Sequence, residues 1–324
     1  MILRILSFLV FVVLQVLFLP LAVVSVMLIT YRQMVLSKRL GVSQTGIEVL
    51  NGRWTMHVFG MRRDDATARL AKVLPNTSTF GLWLVLFPLW AKYKVSGAYF
   101  AYPRIPKEGD EQIADLVIAR TFYFDQIIDR VIGGVEQFVM LGAGYDTRAF
   151  GELKREGLAI FELDQPATQR LKVSGLDKAG LDVSHVRFVQ VDFSQGQAFD
   201  ELKAAGYDPM KKTLFLWEGV TLYLAESDVR KTLRDIRENA AAGSVVVADF
   251  YSEKFVELGK KNAAGRKALE YTGEGFGFGL DFAGGFDETL RDFLRSENMP
   301  VGETRFLGRT RKKGPYAVVV EFTV

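Results

Sequence analysis

The chain has 324 residues and a formal net charge of only +3 at pH 7, with dispersed basic residues that give no support for nucleic-acid binding. It has no cysteine and only two histidines, His57 and His185, which excludes a disulfide framework and a thiolate metal site and nearly excludes an imidazole metal centre. Neither histidine has the sequence setting of a Ser-His-Asp hydrolase, and no G-x-S-x-G motif occurs.

The first element in chain order is a long apolar segment without a charged residue from Ile5 to Tyr31. As a helix at ~1.5 Å per residue, it is long enough to cross a bilayer core of ~30 Å. A secretory signal peptide is the alternative, but its apolar core is normally only ~7–15 residues long. We therefore predict an uncleaved membrane anchor at 1–31. The positive-inside bias places the rest of the chain on the cytoplasmic side, through the basic residues Arg32, Lys38 and Arg39.

Residues 32–109 form a mixed region that we expect to be a helical lid. It contains a second apolar block, FGLWLVLFPLW, at 80–90. This block includes Pro88 and is too short to span a membrane as a helix. Two interpretations remain open. The block is either a buried helix of the lid or an interfacial insertion, since Trp83 and Trp90 suit a headgroup boundary.

A helix is predicted from Asp110 to Val131, because apolar residues recur there at three- and four-residue steps. Arg120 lies in the middle of this apolar stripe. A guanidinium on a buried face requires an anion. That anion is either a protein carboxylate in a core salt bridge or the carboxylate of a ligand.

Residues 136–324 alternate between short apolar strands and helical segments, which predicts an α/β fold with a doubly wound, mostly parallel, seven-stranded sheet. The predicted strands are 137–142, 159–164, 186–192, 213–218, 244–250, about 304–308, and 316–323. The predicted helices are 146–155, 166–174, 197–205 and 226–240. An insertion rich in Gly and Phe, at 252–300, separates the fifth and sixth strands.

The stretch VMLGAGYDTRAF, at 139–150, predicts a strand that turns through Gly142 and Gly144 into a helix. Such a turn brings bare backbone N–H groups against a nucleotide-like ligand, and glycine permits both the close approach and a positive φ. The dinucleotide pattern G-x-G-x-x-G/A fails here because its last position is Thr147.

Acidic residues end the next three predicted strands: Glu162 and Asp164, then Asp192, then Glu218. The carboxyl ends of parallel strands meet at one edge, so these acids should converge on one crevice. Asp164 follows Gly144 at the spacing of a ribose-binding carboxylate. A cofactor with adenine, ribose and an amino-acid tail therefore fits better than a dinucleotide, with Arg120 available for the tail.

These motifs together resemble class I S-adenosylmethionine-dependent methyltransferases of the leucine carboxyl methyltransferase type and their bacterial relatives. The resemblance covers roughly 110–324. It rests on IARTFYFD (118–125), VMLGAGYDTRAF (139–150), FELDQPA (161–167), VQVDF (189–193), LFLWEGVTLYL (214–224) and GEGFGFGL (273–280). It implies a Rossmann-like methyltransferase fold and S-adenosyl-L-methionine as the cofactor, without a metal.

The resemblance also implies roles for the methionyl end of the cofactor. Arg120 would bind the methionyl carboxylate, aided by backbone near Gly142, and Glu218 would lie near the amine. Asp146 and Arg148 belong to the same motif, and local helix capping and pairing is an equally good interpretation of both.

For the adenosine end, the resemblance implies that Asp164 holds the ribose diol, with Glu162 as the alternative if the register shifts by two. Asp192 would accept from the adenine amino group, and the Phe193 backbone would complete adenine recognition. In the 273–280 block, Gly277 and Gly279 stand where the family usually has a proline and a polar residue.

Methyl transfer requires mainly that the protein align a nucleophile with an activated methyl group. A carboxylate acceptor is ionised at neutral pH and needs no general base, so we expect carboxylate O-methylation first and hydroxyl methylation second. No catalytic residue is assigned; Tyr223 and Glu218 are the candidates for a base. We expect a small or amphiphilic acceptor, and the anchor, with the second apolar block, suggests one that is amphiphilic or lipid-like. The competing classes are a non-catalytic, membrane-tethered binding module and a nicotinamide dehydrogenase.

Overall fold

A seven-stranded sheet with strand order β3-β2-β1-β4-β5-β7-β6 organises the C-terminal part of the chain. The computed structural model describes residues 2–151, 153–191, 198–262, 266–267, 270–271 and 275–324. The strands are β1 Gln137–Leu141, β2 Ala159–Asp164, β3 Val186–Gln190, β4 Thr213–Trp217, β5 Val245–Tyr251, β6 Val301–Leu307 and β7 Ala317–Thr323. The predicted seven-stranded α/β sheet is confirmed.

The helices lie before and between these strands. They are α1 Ile2–Thr30, α2 Ser37–Leu40, α3 Gln44–Val58, α4 Asp65–Val73, α5 Thr79–Ser96, α6 Leu116–Val131, α7 Pro166–Lys178, α8 Ala198–Ala204, α9 Glu226–Asn239, α10 Glu253–Lys261 and α11 Phe286–Ser296. A π-helical segment, Tyr31–Leu36, joins α1 to α2 without a break.

The sheet is mixed. Strands β1 to β5 pair in parallel, whereas β7 runs antiparallel to both β5 and β6. The connection from β6 to β7 is too short to hold a crossover helix, and a short connection of this kind joins antiparallel strands. The strands are buried because helices cover both faces: Phe161 and Phe215 pack in one core cluster, and Ile160 and Leu214 pack in the other.

The helix predicted at 146–155 is wrong, because only a 3₁₀ turn, Arg148–Phe150, forms there. The Asp146 carboxylate accepts a hydrogen bond from the Arg148 backbone N–H at 2.8 Å, and such local bonds compete with helix formation. Gly151 and Gly157 follow within a few residues and further disfavour a helix.

The second apolar block lies in α5, which is longer than the block itself. The Ser78 side chain caps its N-terminus by accepting from Gly81 N at 3.2 Å, and Gly97 ends it with φ of +64°. One face of α5 joins an apolar cluster with Trp54 of α3 and Leu70 of α4. Its other face packs against α1. The interpretation of the block as a buried helix therefore holds for the face that contacts α3 and α4.

A continuous helix over Leu3–Leu40 is long and apolar enough to cross a membrane, judged by length and composition, and it is the one such helix within the described ranges. Its side chains are mostly exposed away from α5. The structure thus contains the predicted apolar helix, and its role as an anchor stays a prediction.

Gly277 and Gly279, the two glycines that depart from the pattern implied by the resemblance, lie close against neighbouring backbone. A Cβ at Gly277 would collide with the backbone carbonyl of Leu224, and one at Gly279 would lie 2.8 Å from Cα of Glu253. Larger residues at these two positions would force the segment away from the carboxyl edge of the sheet.

We expect Gly277→Ala to destabilise the protein by about 1–3 kcal/mol, because the Leu224 carbonyl cannot yield while Gly277 N donates to Leu222 O at 2.7 Å. The matched control is Gly275→Ala, since an added Cβ there meets nothing within 4 Å. Thermal unfolding of the full chain in detergent measures both. Equal melting temperatures for the two variants would contradict this packing.

Candidate functional site

The candidate site is a crevice at the carboxyl edge of the sheet, between β1 and β4. The strand order reverses there, since β1 pairs with β2 on one side and with β4 on the other. Gly142 opens the turn after β1 with φ of +76°, and a Cβ at this position would lie 2.6 Å from Val220 of the β4 loop. Glycine is therefore required at 142 by both the backbone and its neighbour.

Gly144 and Asp164 form one wall of the crevice. The Gly144 N–H donates to Asp164 Oδ2 at 2.5 Å, and the Gln165 N–H donates to Oδ1 at 2.6 Å. Burial raises the pKa of the Asp164 carboxyl, and these two N–H groups act against that rise. An added Cβ at Gly144 meets nothing within 4 Å, so open space lies beside the carboxylate.

Glu162 lies away from this wall. It is 1% exposed, and its Oε2 accepts from Lys172 Nζ at 2.6 Å beneath the sheet edge. Burial raises the pKa of Glu162 to about 7, with Lys172 opposing the rise. The proposal of a ribose-binding carboxylate therefore stays with Asp164.

Arg120 projects from α6 into the crevice and meets protein carboxylates there. Its Nη1 donates to Asp249 Oδ2 at 3.1 Å and to the Tyr251 hydroxyl, and its Nε lies 3.4 Å from Glu218 Oε1. The core salt bridge is thus present. Among the described residues, Nε has no hydrogen-bond partner, and the Glu218 carboxylate is the anion beside it.

Two further arginines complete a buried ionic network with Arg120. Arg53 of α3 lies 2.8 Å from Asp146 and donates to both Glu218 oxygens at 2.9 Å. Arg148 donates to Glu218 at 2.7 Å and also to Asp146. Arg53 Nε and Arg148 Nη2 lack acceptors in the described part of the chain, as Arg120 Nε does. Each of the three arginines therefore keeps one buried N–H group without a hydrogen bond among the described residues.

The network sets the ionisation of its acids. Burial opposes ionisation of Glu218, yet Arg148, Arg53 and Arg120 outweigh it and lower the pKa of that carboxyl to about 2. The pKa of Asp146 is likewise well below its usual range, through Arg148 and Arg53. Burial dominates at Asp249 and raises its pKa to about 6.

Thr147, the residue that breaks the dinucleotide pattern, ties the glycine turn to the N-terminal region. Its hydroxyl lies 2.6 Å from the Thr67 hydroxyl of α4 and donates to Asp64 at 3.2 Å. Asp64 also caps α4 by accepting from Thr67 N at 2.8 Å. The region 32–109 therefore packs directly on the turn.

The sequence analysis missed three residues of the network: Arg53, Asp249 and Tyr251. A signal existed for Asp249, since it is the one acid in the apolar strand VVVADFY. Arg53 had none, because it lies outside the motifs that carried the resemblance.

Other predicted site residues are placed as follows. Asp192 and Phe193 lie outside the described residues. Tyr223 ends a 3₁₀ turn after β4, and its ring lies 5.9 Å from that of Phe276. Within the described ranges, no group of three or more His, Cys, Asp or Glu residues could hold a metal ion.

Comparison with known proteins gives a family for this architecture. Residues 70–237, just over half of the chain, match the leucine carboxyl methyltransferase family. The chain belongs to this family. The resemblance inferred from the sequence is therefore confirmed.

Curated relatives of the chain are named as S-adenosyl-L-methionine-dependent methyltransferases. A Bacillus subtilis protein named "Putative S-adenosyl-L-methionine-dependent methyltransferase YktD" is 33% identical over 47% of this chain and 51% of its own length. A Mycolicibacterium smegmatis protein with the same type of name is 34% identical over 54% of this chain and 58% of its own. The chain thus spans about half the length of the curated relatives it matches.

Solved methyltransferase structures are also similar. An O-methyltransferase family protein from Burkholderia thailandensis has a TM-score of 0.42 at 12% identity, over 64% of this chain and 57% of that one. The magnesium protoporphyrin IX methyltransferase from Synechocystis, solved with SAH, also has a TM-score of 0.42. It is 11% identical, over 66% of this chain and 89% of that one.

We expect Glu218→Gln to lower the free energy of unfolding by about 3–5 kcal/mol at pH 7, because it leaves buried arginines short of an anion. Glu218 titrates near 2 in the folded protein and near its ordinary 4.5 when unfolded. The stabilisation by its ionised form is therefore fully present above pH 4.5 and is lost as pH falls through 2.

Denaturant unfolding from pH 7 down to 3 measures the free energy of unfolding of wild type and of Glu218→Gln. The difference between the two free energies should stay constant down to about pH 4.5 and become smaller below it. The control is Glu257→Gln at a surface pair with Lys261, which should change little at any pH. A difference for Glu218→Gln that does not depend on pH would contradict the assignment.

Proposed function

We propose that this protein is an S-adenosyl-L-methionine-dependent O-methyltransferase that acts on a carboxylate of a small or amphiphilic acceptor. The convergence of Gly144, Asp164 and Arg120 on the crevice between β1 and β4 carries the proposal. Membership of the leucine carboxyl methyltransferase family supports both the enzyme class and the cofactor.

Each wall of the crevice suits one part of this cofactor. Asp164, with a partly open carboxylate beside Gly144, would accept from the ribose diol, as the family resemblance implies. Arg120 would hold the methionyl carboxylate through donors that the network leaves unmatched, and Glu218 would face the amine. Asp192 and Phe193 are proposed at adenine. When bound, the cofactor supplies a methyl group on a sulfonium.

The ionisation of Glu218 favours a carboxylate acceptor over a hydroxyl. A carboxylate whose pKa is lowered to about 2 is a poor proton acceptor, so Glu218 would deprotonate a hydroxyl inefficiently. An acceptor carboxylate is already ionised at neutral pH. The protein would then need only to align its oxygen with the methyl group.

Each segment of the chain has its own role in this proposal. We propose an anchor at 1–31, a lid at 32–109 and a methyltransferase domain at 110–324, with the acceptor pocket shaped by 252–300. Lys38 Nζ lies 3.7 Å from the centroid of the Tyr271 ring, which joins the end of the apolar helix to that pocket region. An acceptor taken from a membrane on the cytoplasmic side suits this arrangement.

The test is to incubate the full chain with methyl-labelled S-adenosyl-L-methionine and a membrane extract. We expect label in the lipid-soluble fraction that mild base releases as methanol, because methyl esters hydrolyse in base and methyl ethers do not. Asp164→Asn should lose most of the incorporation. Asp182→Asn, at an exposed pair with Lys154, should retain it.

Each other outcome rejects a different part of the proposal. Base-stable label would indicate hydroxyl methylation. Label confined to soluble small acids would exclude a lipid-like acceptor. No incorporation in any fraction would reject the activity and leave a non-catalytic binding module.

A further inference from the structure

Helix α1 runs antiparallel to α5, which has 18 residues against the 29 of α1, and packs against it over the C-terminal part of α1. Near its C-terminal end, Ile29 lies against Gly81, at the start of α5. Midway, the rings of Phe18 and Phe87 stack at 4.9 Å. Near the N-terminus, Phe11 lies 5.3 Å from Phe100, just beyond the end of α5. From Phe11 to Ile29, α1 therefore follows α5 and the residues just after it.

Helix α5 is itself part of the folded body. Leu86 is buried in the apolar cluster that also contains Trp54 and Leu70, and Tyr93 lies 6.0 Å from the ring of Phe59 at the end of α3. Because these side chains hold α5 to the body and α1 packs on α5, α1 lies beside the body.

The free surface of α1 is apolar on every side that α5 leaves open. The α5-facing stripe recurs at helical spacing through Phe11, Phe18, Ser25 and Ile29. The remaining circumference carries exposed large apolar side chains from Leu3 to Leu28, without a charge after Arg4. A helix from a second copy would cover one more stripe and leave the rest in water. Hydrocarbon covers all of them at once.

A perpendicular orientation of α1 conflicts with the charges of the body. If α1 spanned the ~30 Å hydrocarbon core, α5 and the adjoining end of α3 would enter the bilayer together with it. Arg63 and Asp65 follow Phe59 by a few residues and have side chains 88% and 64% exposed. Exposed charges of this kind are costly at bilayer depth. A helix lying in the membrane plane leaves them in water.

We propose that α1 lies in the plane of the membrane, sunk into the hydrocarbon of a single leaflet, with α5 above it and the body in water. This orientation rests on the membrane association proposed above. It also explains why basic residues flank both ends of the apolar segment. Arg4 before the segment and Arg39 after it are exposed and would reach the phosphates of the same leaflet.

Site-directed spin labels on the full chain test this orientation, since the chain has no cysteine of its own. Leu9→Cys, Val16→Cys and Met27→Cys place labels opposite α5, where the native side chains are 57%, 67% and 67% exposed. Met210→Cys, on the body, is the aqueous control. Depth is read from relative accessibility to oxygen and a nickel chelate in vesicles of phosphatidylcholine and phosphatidylglycerol.

We expect the three labels to lie at one shared depth in the hydrocarbon. A spanning helix would instead bury the Val16 label deepest and raise the other two toward opposite surfaces, about 27 Å apart along the axis at ~1.5 Å per residue. That profile would overturn the in-plane orientation alone. Labels in water, or labels shielded from both reagents, would overturn membrane association itself. Neither result bears on methyl transfer, which the isotope assay measures separately.

Discussion

The structure depends on one buried ionic network. Arg53, Arg120 and Arg148 meet Asp146, Glu218 and Asp249 at the carboxyl edge of the sheet, almost without contact with water. Removing one partner from a buried ion pair costs about 3–5 kcal/mol, because the remaining charge stays buried and unmatched. The network therefore holds α3, α6 and the ends of β4 and β5 in a single arrangement around the crevice.

The same network prepares the crevice for its proposed ligand. Arginine donors that lack acceptors within the described residues lie beside an otherwise neutralised set of charges. The amino-acid tail of the proposed cofactor brings both a carboxylate and an ammonium group, so it can meet these donors and Glu218 while the tail itself adds no net charge. A dinucleotide would bring a pyrophosphate, which binds at a glycine-lined helix N-terminus. Here Thr147 takes the place of the last glycine, and its hydroxyl contacts the Thr67 hydroxyl of α4 instead.

Local patterns predicted much of this protein, and tertiary pairing accounts for the rest. The apolar strands, the positive φ at Gly142 and Gly144 and the apolar stripe around Arg120 follow from short-range rules and were predicted. The pairing of Arg120 with Asp249 and the place of Arg53 in the network were not predicted, because Asp249 is distant in sequence from Arg120 and Arg53 belongs to a region without motifs. The helix at 146–155 failed because Asp146 and Arg148 serve the network. Likewise, periodicity predicted an apolar helix at the N-terminus, but only its contact with α5 indicates how it meets a membrane.

Calorimetry on the full chain tests the central claim, that the crevice binds the amino-acid tail of an S-adenosyl cofactor. S-adenosylhomocysteine should bind at least about tenfold more tightly than methylthioadenosine, which keeps the adenosine but lacks the tail; tenfold corresponds to ~1.4 kcal/mol. NADH should not compete with S-adenosylhomocysteine for the crevice. Equal affinities would contradict the role of Arg120 and Glu218, and no binding of S-adenosylhomocysteine at millimolar concentration would contradict the cofactor site as a whole.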